Sequence, residues 1–377
     1  MPRQDPAGAL FSWLASTLPV TDAAALVITH VLPGQLDFLA ALDRVARVIA
    51  VLPKAWSVNQ AELARTAAGY RCHHLDRALC ADPAWLARYV AGRAGRRRVV
   101  LLDVGGYFAP ALTGLCAALP GQVAGVVEDT ENGHRRYEAL QGLPCAVYSV
   151  ARSPLKEPED CLAGEAIVFF AEALVRQLGC VLVGRRACVV GYGKVGAGIA
   201  AALRARNVLV DVVDADPVRQ AHAIAAGYGY ARLEEALPHA SLVFSATGSR
   251  ALGMRHLRLL RAGAFLAAAT SGDDEFDLAG LASLGSGYAR EEAAPGVSRV
   301  RGGPGKEFFL LGDGNAVNFS HASAIGPAIH LVKAELAAAA GLLAAEEHPP
   351  GFYAVPADRR AAIAAAWVGA FGARGFR

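Results

Sequence analysis

Gly191, Gly193 and Gly196 follow the apolar run Ala187 to Val190 at the spacing G-x-G-x-x-G. In a strand-turn-helix this spacing has a mechanical reading. The first glycine makes the tight turn, the second lets backbone approach a pyrophosphate, and the third lets the helix "AGIAAALRAR" pack on the strand. The next β-rich run, "VLVDVV", leads to Asp214, where a carboxylate accepts hydrogen bonds from an adenosine ribose and repels a 2′-phosphate. The expected cofactor is therefore NAD rather than NADP. "SATG" brings Thr247 and Gly248 to the end of a later strand, on the same ligand edge. The competing reading is a turn that needs glycine for geometry alone. A second group lies upstream, where Lys156 stands just outside a helix expected to start near Pro158, beside Asp160. Proline suits a first helical turn, and Glu157, Glu159 and Asp160 put negative charge at the positive end of the helix dipole. The competing reading of Lys156 and Asp160 is a surface ion pair.

The elements that must position these groups alternate. "AALVIT", "RVIAVLP", "RVVLLDVGG", "QVAGVVEDT" and "PCAVYSV" are β-rich, with helix-like spacers such as "DFLAALDRVARV" and "AELARTAAG". That order implies a doubly wound parallel sheet. It restarts with "ACVVGYG", "VLVDVVDAD", "SLVFSATG" and "GAFLAAAT", so the fold class is α/β with two such sheets, and 377 residues with 54% hydrophobic content suffice for two cores. "VSRVRGGPGKEFFLLGDGNAVNF" reads as an antiparallel appendage around a glycine-rich turn, and everything from "AIHLVKAELAAAAGLLAAEEH" onward reads as helical. Between the sheets, Leu162, Ala166, Ile167, Phe169, Phe170, Ala173 and Leu174 give the helix begun near Pro158 a broad apolar face, and it is expected to be buried and to join the domains.

Composition narrows the class of partner. A net charge of +3 with charged residues at 19% gives no field that implies nucleic acid. The basic run Arg93, Arg96, Arg97 and Arg98 reads as a solvated loop. Seven cysteines with no C-x-x-C pair look like reduced core residues of a cytoplasmic protein, and the spacing in "RCHHLDRALC" is not that of a zinc site, so no metal is expected. No apolar segment reaches membrane-spanning length without polar interruption, so neither membrane insertion nor export is expected.

With these residues in view, the chain resembles the S-adenosyl-L-homocysteine hydrolase family from about His30 to about Pro327. "EDTENG" is similar to the family's E-E-T-T-T-G and supplies Glu128, Asp129 and Thr130. "SPLKEPED" matches S-x-x-K-x-x-x-D through Ser153, Lys156 and Asp160. "GYGKVGAG" resembles G-Y-G-D-V-G-K-G, with Lys194 and Val195 inside the nucleotide loop, and "LLGDGNAVNF" resembles L-A-E-G-R-L-V-N-L, which places Asn318 at a cofactor-contacting position. The resemblance implies a substrate domain over residues 1–160, an NAD domain over 161–320, and a helical segment over 321–377 that returns to the first domain. It also implies a homo-oligomer, a dimer or tetramer, acting on a nucleoside. By position, Lys156 would assist deprotonation of the 3′-hydroxyl, and Asp160 would hold the ribose hydroxyls and orient Lys156. Asp129 and Glu128 would bind the sugar, and Thr130 the cofactor. His30, in "THVLPG" where the family has H-M-T, would be the general acid for the 5′ leaving group, against the alternative of a packed histidine at a strand end.

The departures gather at the substrate. The family's L-D-D-G-G-D is "LDVGGY" here, so a carboxylate that handles the leaving group and water is Val104, and the last aspartate is Tyr107. Leu32 stands for a threonine, Cys161 for an asparagine, Glu165 for a cysteine, and Ser271 for the histidine of G-H-F-D, near the cofactor. "NFSHASAIGP" replaces N-L-G-C-A-M-G-H-P and offers His321 toward the substrate. "GARGFR" does not resemble the family's Lys- and Tyr-bearing tail. Oxidation is thus expected without hydration, giving an NAD-dependent, net redox-neutral lyase or dehydratase acting on a nucleoside, with angustmycin-type products as one class. The alternatives are a true adenosylhomocysteinase, an NAD-dependent epimerase, and a non-catalytic NAD-binding regulator.

Overall fold

The computed structural model describes residues 5–270, 272–277, 280, 288–302, 306–319 and 325–372. Its first strands are β1 (Ala24–Val31), β2 (Arg47–Val58), β3 (Val99–Asp103), β4 (Val123–Glu128) and β5 (Ala146–Ser149). They are followed by β6 (Arg186–Val190), β7 (Leu209–Val213), β8 (Gly229–Tyr230), β9 (Leu242–Ser245) and β10 (Ala264–Ala268). The last are β11 (Tyr288–Ala294), β12 (Val297–Gly302), β13 (Lys306–Leu311) and β14 (Gly351–Tyr353). Two sheets result, each α/β and mostly parallel. The chain divides into two compact units, one of Met1–Glu159 with Gly326–Arg377 and one of Asp160–Ile325.

The first unit's sheet runs β14-β5-β4-β3-β1-β2, with every neighbouring pair parallel. All of β3 and nearly all of β1 are buried, because a parallel sheet carries helices on both faces and its strands are apolar throughout. The chain reverses its winding between β1 and β3, and the crevice at the carboxyl ends of such strands is where α/β sheets bind ligands. The Ile329–Ala345 helix packs on β4. A Cβ on Gly125 would come within 2.7 Å of Leu343, so glycine there admits the helix. Over Gly326–Ala345 the helix is long and apolar enough to cross a membrane, yet 78% of that window is buried, which marks a core helix.

The second unit's sheet runs β11-β12-β13-β10-β9-β6-β7-β8. From β13 to β8 its pairs are parallel, and winding reverses between β6 and β9. This is the open-sheet order of dinucleotide-binding folds, with antiparallel β12 and β11 added at one edge.

Several local expectations need correction. The strand after the glycine-rich turn is no appendage: β13 lies parallel to β10 inside the sheet, because its Phe308 to Leu311 side chains are buried. The charged edge strand β11, the capped helix Pro6–Thr17 and the three-residue β14 within the supposedly helical C-terminal part lacked the alternation that reveals strands, or the long period that reveals helices. On the Glu157–Gln177 helix Ala166, Ile167, Phe170 and Leu174 are buried as expected, together with Ala163, while Leu162, Phe169 and Ala173 are exposed, so the buried face is narrower than expected. The basic run is also not merely solvated. Arg98 donates to the carbonyls of Leu343 (3.3 Å) and Glu346 (3.0 Å), satisfying the C-terminal end of the core helix.

Candidate functional site

In the first unit, His30 sits at the end of β1 with its Nδ1 hydrogen-bonded to Ser57 Oγ on β2. Burial, then the charges of Lys54, Lys333 and Lys156, hold the imidazole well below its usual pKa. Those influences favour the uncharged ring, the form that can accept a proton.

Two carboxylates face each other across β3 and β4, where Asp103 pairs in register with Glu128. Both side chains are fully buried. Asp103 Oδ2 accepts from the Tyr137 hydroxyl at 2.6 Å and the Phe108 N–H at 3.0 Å, and burial raises its pKa. Glu128 accepts the N–H groups of Gly105 (3.0 Å), Gly106 (3.0 Å) and Thr130 (2.7 Å) and the Thr130 hydroxyl (2.8 Å). Burial, with the Asp103 charge, pushes Glu128 up to about 8. A Cβ on Gly133 would overlap the Glu128 carboxyl at 2.1 Å, so that glycine makes the close approach possible. Glu128 is expected at the sugar; in this chain both its oxygens hold the loops that follow β3 and β4. Thr130, expected at the cofactor, donates to Glu128 and caps the helix Glu131–Glu138 by accepting the Gly133 N–H at 3.0 Å. Its hydroxyl is engaged within the same clamp.

Asp129, between them in sequence, turns the other way. It receives Lys156 Nζ at 3.1 Å, and Glu159 receives it at 2.7 Å, with all three side chains largely buried. The structure thus brings together His30, Ser57, Lys54, Asp129, Lys156, Glu159 and Lys333 in one unit. Asp160, in the second unit, lies 3.4 Å from Lys194 Nζ.

The second unit builds a nucleotide cradle. Gly191 has φ +94°, and a Cβ on Gly196 would sit 1.9 Å from the Gly191 carbonyl, so the fold alone demands both glycines. Gly193 differs, because a Cβ there would meet only Arg219 at 3.6 Å. Its bareness answers no internal contact and matches the approach of a pyrophosphate to the N-terminus of the Lys194–Ala205 helix. Val195 lies in the first turn of that helix. Asp214 accepts the Tyr192 N–H at 2.6 Å and the Asp216 N–H at 2.8 Å, which sets its carboxylate beside the loop. Asn318 is buried with its Oδ1 unpartnered among the described residues, a polar atom left for a ligand. These residues fit NAD. Across the switch point, buried Glu275 accepts from Ser245 Oγ, both the N–H and the hydroxyl of Thr247, the Gly248 N–H and Thr270 Oγ1, at 2.7 to 3.1 Å. Thr247 and Gly248 are therefore shaped from within. Ser271 and His321 lie outside the described residues.

A family model described as S-adenosyl-L-homocysteine hydrolase, NAD binding domain, matches residues 168–324. Those residues form an NAD-binding domain similar to that of the S-adenosyl-L-homocysteine hydrolases. NAD is the cofactor of this domain, and the chain is an NAD-dependent enzyme. Among solved structures, it is similar to the phosphoglycerate oxidoreductase from Vibrio cholerae, at 13% identity over 70% of this chain and 80% of that one (TM-score 0.42). The pyruvate reductase of Chlamydomonas reinhardtii is also 13% identical over 85% and 97% of the two chains (TM-score 0.42). The D-lactate dehydrogenase from Escherichia coli is 14% identical over 69% and 78% (TM-score 0.38). Likeness at that level assigns no substrate.

Sequence reasoning missed Glu275, Lys54, Lys333, Ser57 and Glu159. Only Glu159 carried a local signal, three residues after Lys156 on a helix start, where i,i+3 side chains meet.

Proposed function

We propose that the protein is an NAD-dependent, net redox-neutral lyase that eliminates a 5′-type leaving group from a nucleoside. The observation that carries the reading is Val104, a buried aliphatic side chain directly after β3 at the switch point, in the same unit of the fold as the Lys156 cluster. An aliphatic side chain neither activates water nor protonates a leaving group, so an alkene formed there is not hydrated by it. When bound, NAD supplies reversible hydride transfer at the sugar carbon that bears the hydroxyl. Oxidation there acidifies the adjacent C–H, which is otherwise inert. Lys156 Nζ, donating to both Asp129 and Glu159, is suited to relay the hydroxyl proton into that pair of carboxylates. His30, uncharged, is the group suited to accept a proton during elimination.

The test is incubation of NAD-loaded protein with candidate nucleosides in deuterated water. The expected product is lighter by the leaving group and carries a new alkene, with no accumulation of NADH, and recovered substrate gains one deuterium at the acidified carbon. Release of homocysteine and adenosine from S-adenosylhomocysteine at a housekeeping hydrolase rate, with no alkene product, would sink the reading. Replacing Lys156 with Ala is expected to leave NAD retention intact and abolish transient NADH absorbance.

A further inference from the structure

Around His30 the first unit gathers positive charge that its carboxylates leave partly uncompensated. Lys54 Nζ lies 5.6 Å from the centre of the Tyr107 ring, and the Arg77 guanidinium stands 4.6 Å from the same centre. A Cβ on Gly105 would come 3.7 Å from Lys54 Nζ, so this ammonium faces the glycine turn that follows β3 and Val104. The Lys54 carbonyl accepts from Ser57 Oγ at 3.3 Å, and that same oxygen bonds His30. Lys333, on the core helix, donates to the Gly34 carbonyl at 3.5 Å, just past the end of β1. Lys156 is matched by Asp129 and Glu159, whereas neither Lys54 nor Lys333 forms an ion pair among the described residues. Burial lowers Lys333 to about 8 against the opposing pull of Asp129, Asp37 and Glu62. Partly buried cations without a counter-ion cost free energy that a bound anion recovers.

We infer that Lys54 and Lys333 bind an oxyanion carried by the substrate beside the bond that breaks, a phosphate ester on the carbon that becomes the alkene terminus. The inference rests on the lyase reading and names its leaving group. Elimination breaks the C–H bond next to the transient ketone and the exocyclic C–O bond, forms C=C, and releases phosphate with the C–O electron pair. The proton goes to an uncharged base, and the hydride returns to the ring, so the sum is nucleoside phosphate to alkene plus phosphate. Hydroxide is a poor leaving group that must be protonated as its bond breaks, and Val104 offers no proton for that. A phosphate departs as a stable anion and needs none, and two ammonium groups favour the charge it gains.

The experiment is calorimetric binding to the NAD-loaded full chain. Nucleoside 5′-monophosphates of four bases are each compared with the parent nucleoside, alongside inorganic phosphate and S-adenosylhomocysteine. At least one monophosphate is expected to bind tenfold or more tighter than its nucleoside, with inorganic phosphate competing. Lys54→Gln and Lys333→Gln should each shrink that ratio severalfold, while Lys54→Arg, which keeps the charge and guards against misfolding as the cause, restores it. Equal affinity for monophosphate and nucleoside overturns the inference, as does a preference for S-adenosylhomocysteine over every monophosphate. If an unphosphorylated nucleoside is converted to alkene as fast as its phosphate, the oxyanion site falls and the lyase reading stands. If a monophosphate binds tightly yet yields no alkene, the lyase reading falls and the oxyanion site stands.

Discussion

Glu128 in the first unit and Glu275 in the second do the same job in different company. Each is fully buried beyond or at the carboxyl ends of a parallel sheet, and each holds glycine-bearing loops by accepting backbone N–H and threonine hydroxyl groups. The donors around Glu275 include three side-chain hydroxyls, from Ser245, Thr247 and Thr270. Glu128 has one such hydroxyl, and it faces a second buried carboxylate, Asp103, on the neighbouring strand. The contrast teaches that a buried carboxylate serves a loop in two ways. One surrounded by hydroxyl donors gathers several loops at once, and one buried beside a second carboxylate is an anchor that answers to pH.

The largest effect is expected from removing the better-served clamp. Glu275→Ala orphans its donors and should destabilise the second unit by about 4 kcal/mol, lowering its melting temperature by roughly 10 °C. Calorimetry would read this, together with loss of co-purifying NAD, and an unchanged melting temperature would show that the loops are held by something else. Next comes Gly133→Ala, whose methyl group must displace the Glu128 carboxyl. Overpacking of that kind costs about 2 kcal/mol, and the loss should appear in the first unit with NAD content preserved.

The third prediction separates the clamps by pH. Glu128 titrates near 4.5 when unfolded and about 8 when folded, so its contribution is fully present below 4.5 and is lost as pH rises through 8. Glutamine does not titrate. The stability gap between wild type and Glu128→Gln should therefore narrow between about pH 5 and about pH 8.5 in urea unfolding, and a widening gap would overturn the upward shift that burial and Asp103 impose on Glu128. The smallest stability effect belongs to Gly193→Ala. Its apoprotein should melt within about 0.5 kcal/mol of wild type while NAD affinity falls about tenfold, since the methyl group makes only an ordinary contact with Arg219 in the protein and meets the pyrophosphate in the complex.

The legible part of this molecule was the part fixed by local sterics. Gly191 and Gly196 announce themselves because a short spacing encodes one turn, and the alternation of β-rich and helical runs encodes both sheets. The clamp residues did not, for contrasting reasons. Glu128 sits inside a motif and drew a ligand-binding reading, since nothing in the sequence says that Gly133 opens a space for its carboxyl. Glu275 reaches Ser245 and Gly248 only after β10 has returned the chain to the same edge, and sequence spacing carries no trace of that meeting. Lys54 and Lys333 are likewise brought to one edge by β2 and by a helix added at the other end of the chain. The exposed Leu162 and Phe169 show the converse error, apolar residues at helical spacing whose side chains the fold leaves in solvent.

Within the second unit, the Glu157–Gln177 and Lys194–Ala205 helices meet through bare backbone. A Cβ on Gly164 would lie 2.6 Å from the Gly198 carbonyl carbon, and one on Gly198 would lie 2.8 Å from the Cys161 carbonyl oxygen. This seam works as a set-screw. Any side chain larger than hydrogen at either glycine pushes on the very helix whose first turn faces the nucleotide, and so retunes the grip on the cofactor without altering a residue of the cradle. A lineage drifting at these two positions would change how firmly the enzyme keeps its cofactor through each turnover while its active-site residues stayed the same.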